Sequence, residues 1–322
     1  MAIEQGRRIA VLFPGQGSQH VGMGQDFLAS RPGARQIMEE AGAIAGLPLE
    51  SLCCTGPLEA LTELANVQPA ITAVNLICWQ ALAEAGVHPA FVCGHSLGEY
   101  SALCAAGVLS VADTFRLVTA RGRLMQREAD RQPGGMAAVL GLTVAELEAR
   151  MNGWAGPGIV TVANHNSERQ IVVSGGADAV AEAGRRLGGP GVKVVPLKVA
   201  GAMHSPLMAG MVADFAELLA ATPVAPPATA VLFNVSAGPE ADPAAIRAIM
   251  AQQIVSRVRW LEIMEQLSAA GVDAVIEVGP KTVLSNLWRK SMPKGCPCQV
   301  LQVEDQASLA RCLEALAARG EG

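Results

Sequence analysis

A glycine-flanked serine carries the clearest chemistry in the sequence. A short apolar run enters Gly94-His-Ser-Leu-Gly98, and an alanine- and leucine-rich helical stretch leaves it. A serine on a sharp strand–turn–helix connection exposes its hydroxyl for attack on a carbonyl. The glycines suit such a turn, because side chains there would clash with neighbouring backbone. The G-x-S-x-G spacing also occurs by chance in ordinary strand-to-helix turns. Ser96 is therefore a candidate nucleophile, and the rest of the chain must supply a base and an anion site.

A serine nucleophile needs a general base, and histidine is the usual one. The chain contains His20, His88, His95, His165 and His204. His88 precedes a proline in a predicted surface turn, and the side chain of His95 should point away from its neighbour Ser96. His20 and His165, in glycine- or asparagine-rich loops, stay open as contributors. His204 lies in a loop at the predicted junction of two units and is the strongest candidate. Its alternative role is that of a loop residue beside a helix cap.

An arginine lies on the apolar face of a predicted helix. Apolar residues recur at 111, 115, 118 and 125, and Arg121 falls on the same face, three positions after Val118 and four before Met125. A guanidinium among apolar side chains is costly unless a fixed anion meets it. Two interpretations stay open: an ion pair with a protein carboxylate, or a bidentate clamp for a substrate carboxylate near Ser96.

The loop after the first predicted strand is rich in glycine. It runs from Phe13 to Met23, and loops at the carboxyl ends of strands line the ligand crevice of α/β sheets. Its glycines let the backbone approach a substrate, so the amide of Gln16 could complete an oxyanion hole with amides at the start of the helix after Ser96. The loop lacks the spacing of a phosphate-binding loop.

The order of predicted elements favours an α/β fold with an inserted unit. Strands at 9–13 and 90–93 are separated by helical segments, and segments resembling the same core return after 205. Between them, residues 136–196 read as strand, helix, strand, strand, helix, strand, which is the ferredoxin-like order. The two helices of this unit are predicted at 144–151 and 177–187, and its second strand at 159–163. We therefore predict a parallel-sheet core formed by 1–130 and 198–322, with a ferredoxin-like subdomain at 131–197.

Composition excludes several classes of protein. The net charge of −5, spread over segments of mixed sign, argues against a nucleic-acid partner. No apolar run reaches the ~20 residues of a membrane span, and the first eight residues lack a signal-peptide core, so we expect a cytoplasmic protein. The 8 cysteines are expected to be reduced and structural. Cys296-Pro-Cys298 has neither the C-x-x-C spacing nor a nearby histidine, so no metal site is expected.

Taken together, these segments resemble the stand-alone bacterial malonyl-CoA:acyl carrier protein transacylase family. The matching motifs follow the family order along nearly the whole chain: Phe13-Pro-Gly-Gln-Gly-Ser-Gln19, Gln68-Pro-Ala70, Gly94-His-Ser-Leu-Gly-Glu-Tyr-Ser-Ala102, Arg121-Gly-Arg-Leu-Met-Gln126, Gly135-Met-Ala-Ala138, Ala163-Asn-His-Asn166, His204-Ser205 and Glu277-Val-Gly-Pro280. A single motif would be weak, but eight in order are specific.

The resemblance implies a fold, a set of roles and a pair of cosubstrates. The fold is an α/β-hydrolase-like core with a ferredoxin-like insertion. Ser96 is implied as nucleophile, His204 as general base and acid, and Arg121 as partner of the malonyl carboxylate. The amides of Gln16 and Leu97 would form the oxyanion hole. Malonyl-CoA and acyl carrier protein are the implied cosubstrates, with no metal or bound cofactor, in a monomer that serves fatty acid synthesis.

Two positions depart from the family pattern. The family orients its histidine with a backbone carbonyl near a glutamine, which matches Gln253 here, but Ser256-Arg-Val258 replaces the usual Asn-Pro turn. Met203 stands where malonyl-specific members often carry an aromatic residue. Met203 is still large enough to crowd an α-methyl branch, so malonyl is favoured over methylmalonyl, a discrimination worth only ~1–3 kcal/mol per methyl group.

Three other functions remain open from the sequence. A serine thioesterase or esterase would share Ser96 and His204 but would not need Arg121. The malonyl-transfer subunit of a malonate decarboxylase would load a different carrier. A carrier-binding scaffold would keep an inert serine. For carrier docking, the basic residues Arg185, Arg186 and Lys193 are candidates, with solvated surface charge as the alternative.

Overall fold

The computed structural model describes residues 6–199 and 201–318. Within these ranges the strands are β1 (Ile9–Phe13), β2 (Phe91–Gly94), β3 (Gly134–Leu140), β4 (Val160–Ser167), β5 (Gln170–Gly176), β6 (Lys193–Pro196), β7 (Ala230–Leu232), β8 (Ala274–Val278) and β9 (Gln299–Val303). They form two sheets, one of five strands and one of four.

Helices cover most of the remaining described chain. They are α1 (Gln25–Ser30), α2 (Pro32–Ala45), α3 (Leu49–Cys54), α4 (Leu58–Thr62), α5 (Leu64–Glu84), α6 (Gly98–Ala105), α7 (Val111–Arg131), α8 (Val144–Met151), α9 (Ala177–Leu187), α10 (Val212–Ala221), α11 (Pro243–Gln252), α12 (Trp260–Ala269), α13 (Val283–Ser291) and α14 (Gln306–Ala317), with short 3-10 turns at Pro206–Met211 and Gln253–Val255.

The larger sheet is parallel throughout and has the order β7-β2-β1-β8-β9. β1 and β8 are buried along their whole lengths, as expected of apolar strands covered by helices on both faces. The chain leaves β1 toward β2 and β7, and then crosses back to β8 on the other side of β1. Loops at the carboxyl ends of β1, β2 and β8 therefore meet near the point where the strand order reverses, which is where ligands bind in such sheets.

The smaller sheet is antiparallel, with the order β4-β5-β3-β6. With α8 and α9 it gives β-α-β-β-α-β connectivity, and its inner face packs into a separate apolar cluster that includes Val139, Ile171 and Leu187. A capping box of Thr143 and Glu146 begins α8. The predicted α/β class, with a parallel sheet and an inserted ferredoxin-like unit, is confirmed. The predicted unit boundaries stay a prediction, and residues 1–5, 200 and 319–322 of the outer segments lie outside the described residues.

Some boundaries differ from the sequence-based expectation. α8 and α9 have the predicted bounds, whereas β4 runs to Ser167 rather than to residue 163. The extra residues continue past bulges in the β4–β5 pairing, and the backbone amide of His165 donates a further hydrogen bond to Val258 O. The sequence analysis also missed β9, which pairs in parallel with β8, and α14, which follows β9 along the chain.

No helix in 6–199 and 201–318 is long and apolar enough to cross a membrane. The same ranges hold no cluster of three or more histidine, cysteine or acidic side chains arranged to bind a metal ion. The cysteines at 53, 54, 78, 93, 104, 296 and 312 are free thiols.

Candidate active site

The serine turn lies between β2 and α6. Ser96 has a φ of 50°, a left-handed conformation that is strained for a residue other than glycine. Close packing against β1 imposes this turn. A Cβ at Gly94 would lie 2.0 Å from the carbonyl carbon of Gly98, and one at Gly98 would lie 2.0 Å from Phe13 O. Glycine is therefore required at both flanking positions, and the Ser96 side chain is presented into the cleft.

His204 meets the serine from the other side of the cleft. Its Nε2 lies 2.7 Å from Ser96 Oγ, a hydrogen-bond distance across 108 residues of sequence. His204 also has a positive φ, 58°, and is almost fully buried. The following residue, Ser205, caps the 3-10 turn that begins at Pro206. The loop thus places the imidazole where it can accept the hydroxyl proton.

Backbone carbonyls hold the other ring nitrogen of His204. Its Nδ1 lies 3.0 Å from Gln253 O and 2.9 Å from Ser256 O. Because carbonyls only accept hydrogen bonds, Nδ1 must carry the proton, which leaves the Nε2 lone pair facing Ser96. Ser256, at the position that departs from the family turn, therefore contributes a second acceptor beside Gln253.

The environment of His204 favours the neutral imidazole. Burial is the largest cause that lowers its pKa, to about 3, followed by the positive charge of Arg121 and by His95. The two carbonyl hydrogen bonds act in the opposite direction. A neutral imidazole at physiological pH is ready to take a proton from Ser96 without first losing one.

We expect acylation by a neutral acyl-CoA to keep its rate at pH values where an ordinary histidine would be protonated. The pKa of His204 is lowered, so the basic form of the free enzyme persists as pH falls below 6.5. The acid limb of kcat/KM for acetyl-CoA should therefore lie below about pH 5. A pH profile of single-turnover acylation measures this, and an acid limb centred near 6.5 would contradict it.

Arg121 reaches the same point from α7. Its NH2 group lies 3.3 Å from Ser96 Oγ and 3.2 Å from Gln253 Oε1, and its NH1 group donates to Gln68 Oε1. The side chain is 1 % exposed, and its guanidinium lies 5.5 Å from the centre of the Tyr100 ring. The helix face predicted from the sequence thus points into the cleft.

The partners of Arg121 argue against one of the two interpretations left open by the sequence, the ion pair with a protein carboxylate. They are neutral amide and hydroxyl oxygens, and no carboxylate of the described residues forms a salt bridge with it. Burial lowers the pKa of Arg121, but arginine remains protonated in proteins. A buried cation held by neutral acceptors beside a serine hydroxyl can receive a carboxylate ligand.

Gln16 and Leu97, the two residues predicted to supply oxyanion-hole amides, lie beside Ser96. A Cβ at Gly15 would lie 2.3 Å from His95 O and 3.5 Å from Leu97 N, so the loop after β1 packs directly against the serine turn. Gln16 lines the cleft and Leu97 is buried. Within the described ranges, neither amide N–H donates to a protein acceptor. Both are therefore free to bind a developing oxyanion.

Comparison with known proteins assigns the family. The acyl transferase domain model matches residues 11–311. The chain belongs to the acyl transferase domain family. It is 39% identical over 285 residues to the malonyl CoA-acyl carrier protein transacylase of Bacillus subtilis, covering 88% of this chain and 90% of that protein. The resemblance found in the sequence is thus confirmed.

Solved structures of related proteins share the whole fold. The malonyl-CoA:acyl carrier protein transacylase of Xanthomonas oryzae is 37% identical, with a TM-score of 0.91 over 97% of this chain and 99% of that one. A complex of a type II polyketide acyl carrier protein with its malonyl-transacylase has a TM-score of 0.90 at 34% identity, over 96% and 99% of the chains.

The acyl transferase cleft encloses a cavity of about 170 Å³. Beyond the catalytic candidates its walls are largely apolar, with methionines at 125, 136 and 203 and leucines at 197, 284 and 287. The inserted unit contributes Asn164, Asn166 and Gln170, so both units form the site. The polar groups are few and converge near Ser96, as in most small-molecule sites.

The remaining histidines lie away from the Ser96 hydroxyl. His95 lines the cleft, but its Nε2 lies 2.8 Å from Asn166 Oδ1 and its ring packs edge-on against Trp260. His20 lies beside Glu304, and His165 lies 3.9 Å from Glu262. Neither His20 nor His165 lines the cleft of the acyl transferase.

Several residues that shape the site were not singled out from the sequence. Asn234, just after β7, accepts from Ser96 N at 2.6 Å and donates to Gly94 O at 2.7 Å, so it braces both ends of the strained turn. Gln68 and Glu99 belong to two of the motifs that resemble the family, and these motifs are the sequence signal that could have identified them. Nothing in the local sequence marked Asn234.

Proposed function

We propose that this acyl transferase moves a malonyl group from malonyl-CoA to the phosphopantetheine thiol of acyl carrier protein, through a malonyl ester on Ser96. The observation that carries the proposal is the buried guanidinium of Arg121, which lies 3.3 Å from Ser96 Oγ and forms no salt bridge with a carboxylate of the described residues. A hydrolase of neutral esters would not need it. The names of the Bacillus and Xanthomonas relatives support the same activity.

The first half-reaction transfers the acyl group to the enzyme. Ser96 Oγ attacks the thioester carbonyl while His204 Nε2 takes its proton. The carbonyl oxygen becomes an oxyanion that accepts hydrogen bonds from the amides of Gln16 and Leu97. The carbon–sulfur bond then breaks, and His204 returns the proton to the departing CoA thiolate. The products are free CoA and the malonyl-serine ester.

The second half-reaction reverses these roles. The phosphopantetheine thiol of the carrier loses its proton to His204 and attacks the ester carbonyl. The same two amides bind the oxyanion, and Ser96 leaves with the proton from His204. Two substrates that use one site in turn give ping-pong kinetics. His204 serves every proton transfer, so the proposal requires no metal or bound cofactor.

Arg121 favours transfer over hydrolysis in this scheme. A malonyl carboxylate bound to the guanidinium fixes the ester carbonyl relative to the incoming thiol, which raises the rate of that attack. The largely apolar walls of the cleft offer few hydrogen-bond partners to a water molecule that could attack the ester in place of the thiol. Met203, adjacent to His204 and in the cleft wall, is proposed to crowd an α-methyl branch and so to favour malonyl over methylmalonyl.

Intact-protein mass spectrometry tests the proposal. The enzyme is mixed with malonyl-CoA alone, and then with a carrier protein bearing phosphopantetheine. We expect one malonyl adduct and one equivalent of CoA in the first step, and loss of the adduct to the carrier in the second. Rapid multiple-turnover CoA release without carrier would instead indicate a thioesterase. Absence of any adduct would indicate an inert scaffold.

The choice of carrier tests the finer parts of the proposal. We propose that the carrier is that of fatty acid synthesis and that the enzyme acts as a cytoplasmic monomer. Rates with a fatty-acid carrier, a polyketide carrier and the carrier of a malonate decarboxylase separate the three pathways. Faster loading of either of the last two would overturn the assignment to fatty acid synthesis.

Carrier docking is proposed to use Lys193 rather than the neighbouring arginines. Arg185 pairs with Glu182, and Arg186 donates to the carbonyls of Arg150 and Asn152, whereas Lys193 is exposed at the start of β6. We expect Lys193→Glu to raise KM for the carrier about three- to tenfold while acylation by malonyl-CoA is unchanged. Steady-state kinetics against both substrates measure this, and an unchanged carrier KM would exclude Lys193.

A further inference from the structure

The side chain of Gln253 connects the arginine to the interior of the core. Its Nε2 lies 3.0 Å from Ser96 O and 2.8 Å from Glu99 Oε1, and its Oε1 lies 3.2 Å from an Arg121 nitrogen. Ser96 O and the ionised Glu99 carboxylate only accept hydrogen bonds, and Arg121 only donates. One amide orientation satisfies all three contacts. Rotating the Gln253 amide by 180° would place its NH₂ group against Arg121, which only donates, and its oxygen against Ser96 O and Glu99 Oε1, which only accept.

Glu99 is a fully buried carboxyl group that the proposed mechanism does not use. Its Oε1 accepts from Gln253 Nε2, and its Oε2 accepts from Asn234 N at 2.6 Å. Burial raises its pKa to about 7, while these hydrogen bonds and the charge of Arg121 act in the opposite direction. Because both oxygens face N–H donors, the site is built for the ionised carboxylate.

We propose that Glu99 is a positioning residue for acyl selectivity: it fixes the Gln253 amide so that Oε1 faces Arg121, and thereby holds the guanidinium for the substrate carboxylate. Glu99 touches neither the substrate nor the reacting atoms. Its effect passes through Gln253 to Arg121. Glu99 should therefore influence the transfer of acyl groups that carry a carboxylate, and not the transfer of neutral ones. This inference rests on the proposed malonyl transfer.

Glu99→Gln changes the hydrogen-bond pattern with almost no change of shape. The backbone N–H of Asn234 cannot reverse, so the single oxygen of the new amide must face it. The new NH₂ group then faces Gln253 Nε2, donor against donor. Gln253 can relieve this only by rotating, which turns its own NH₂ toward Arg121 and its oxygen toward Ser96 O. If Gln253 stays unrotated, repulsion between the two NH₂ groups moves its amide. If it rotates, a donor faces Arg121, and in both cases the guanidinium loses the acceptor that holds it.

The test is the ratio of single-turnover acylation rates with malonyl-CoA and acetyl-CoA at pH 8. We expect Glu99→Gln to lower this malonyl-to-acetyl ratio about tenfold, the size of one charge-assisted hydrogen bond, mainly by slowing malonyl transfer. A purely structural effect of Glu99 would slow both substrates equally and leave the ratio unchanged. That result would overturn the inference while wild-type malonyl transfer still stood.

Two further variants sharpen the result. Glu277→Gln is the matched control, because Glu277 is equally buried, accepts from Leu284 N and Ser285 N, and has a pKa likewise raised by burial to about 7. It should leave the ratio unchanged. Since Glu99 acts through Gln253, adding Glu99→Gln to Gln253→Met should not lower the ratio further. An additive effect would contradict the proposed path, and failure of wild type to acylate would refute the underlying function instead.

Discussion

Ser96→Ala is expected to abolish the malonyl-enzyme and to lower kcat for transfer by a factor of about 10⁴ or more. The Ser96 hydroxyl is the group 2.7 Å from the neutral imidazole of His204, and no other side chain occupies its place in the cleft. Without it the acyl group has no covalent acceptor. Loss of a serine nucleophile or its base typically removes most of the catalysis. Intact mass after brief incubation with malonyl-CoA measures the adduct directly.

His204 and an unrelated serine serve as controls for this result. His204→Ala should lower the acylation rate by a similar factor, and the double variant should be no worse, because the two residues act as a unit. Ser51→Ala removes an exposed hydroxyl on α3 that is hydrogen-bonded to Thr55, and it should acylate like wild type. A stable adduct on the Ser96→Ala protein would show that another residue is the nucleophile.

Arg121→Ala is expected to lower kcat/KM for malonyl-CoA about 100- to 1,000-fold while changing that for acetyl-CoA only a few-fold. Truncating one partner of a buried charge pair costs about 2–5 kcal/mol, and each 1.4 kcal/mol is a factor of ten. Acetyl has no carboxylate to lose. The variant should therefore lose its preference for malonyl, and single-turnover acylation with both substrates measures this.

Arg123 provides the matched control on the same helix. It lies two positions further along α7 and donates to Ala45 O at 2.8 Å, outside the cleft. Arg123→Ala should keep the wild-type preference for malonyl-CoA. Equal losses for malonyl and acetyl in Arg121→Ala would mean that the guanidinium supports the structure of the site rather than the substrate carboxylate. Thermal denaturation of both variants separates loss of folding from loss of selectivity.

The charge distribution around Arg121 suits the proposed binding of a substrate carboxylate. Neutral oxygens of Gln68 and Gln253 hold the guanidinium in place without neutralising it. The buried Glu99 carboxylate attracts the guanidinium through space, and its hydrogen-bonded link to Arg121 runs through the Gln253 amide. The cation thus keeps its attraction for an incoming carboxylate at a buried position, where the effective dielectric constant is lower than in water.

The local sequence determined the elements and much of the catalytic chemistry. The glycines around Ser96 require a turn in which no side chain fits, and the apolar spacing of α7 places Arg121 on its buried face. The periodicity of the inserted unit gave the bounds of α8 and α9. These features depend on neighbours a few residues away, so the sequence contains them directly. β9 and α14 were missed because pairing with β8 defines that strand, not its own pattern.

Only the tertiary structure decided how the groups combine. Asn234 braces a serine turn 138 residues earlier, Gln253 presents a carbonyl to His204 and an amide to Arg121, and Glu99 fixes that amide across 154 positions. Hydrogen-bond partners, amide orientation and the lowered pKa of His204 all follow from burial among distant segments. Such properties belong to the packed site, because no single stretch of the chain contains both partners of any of these contacts.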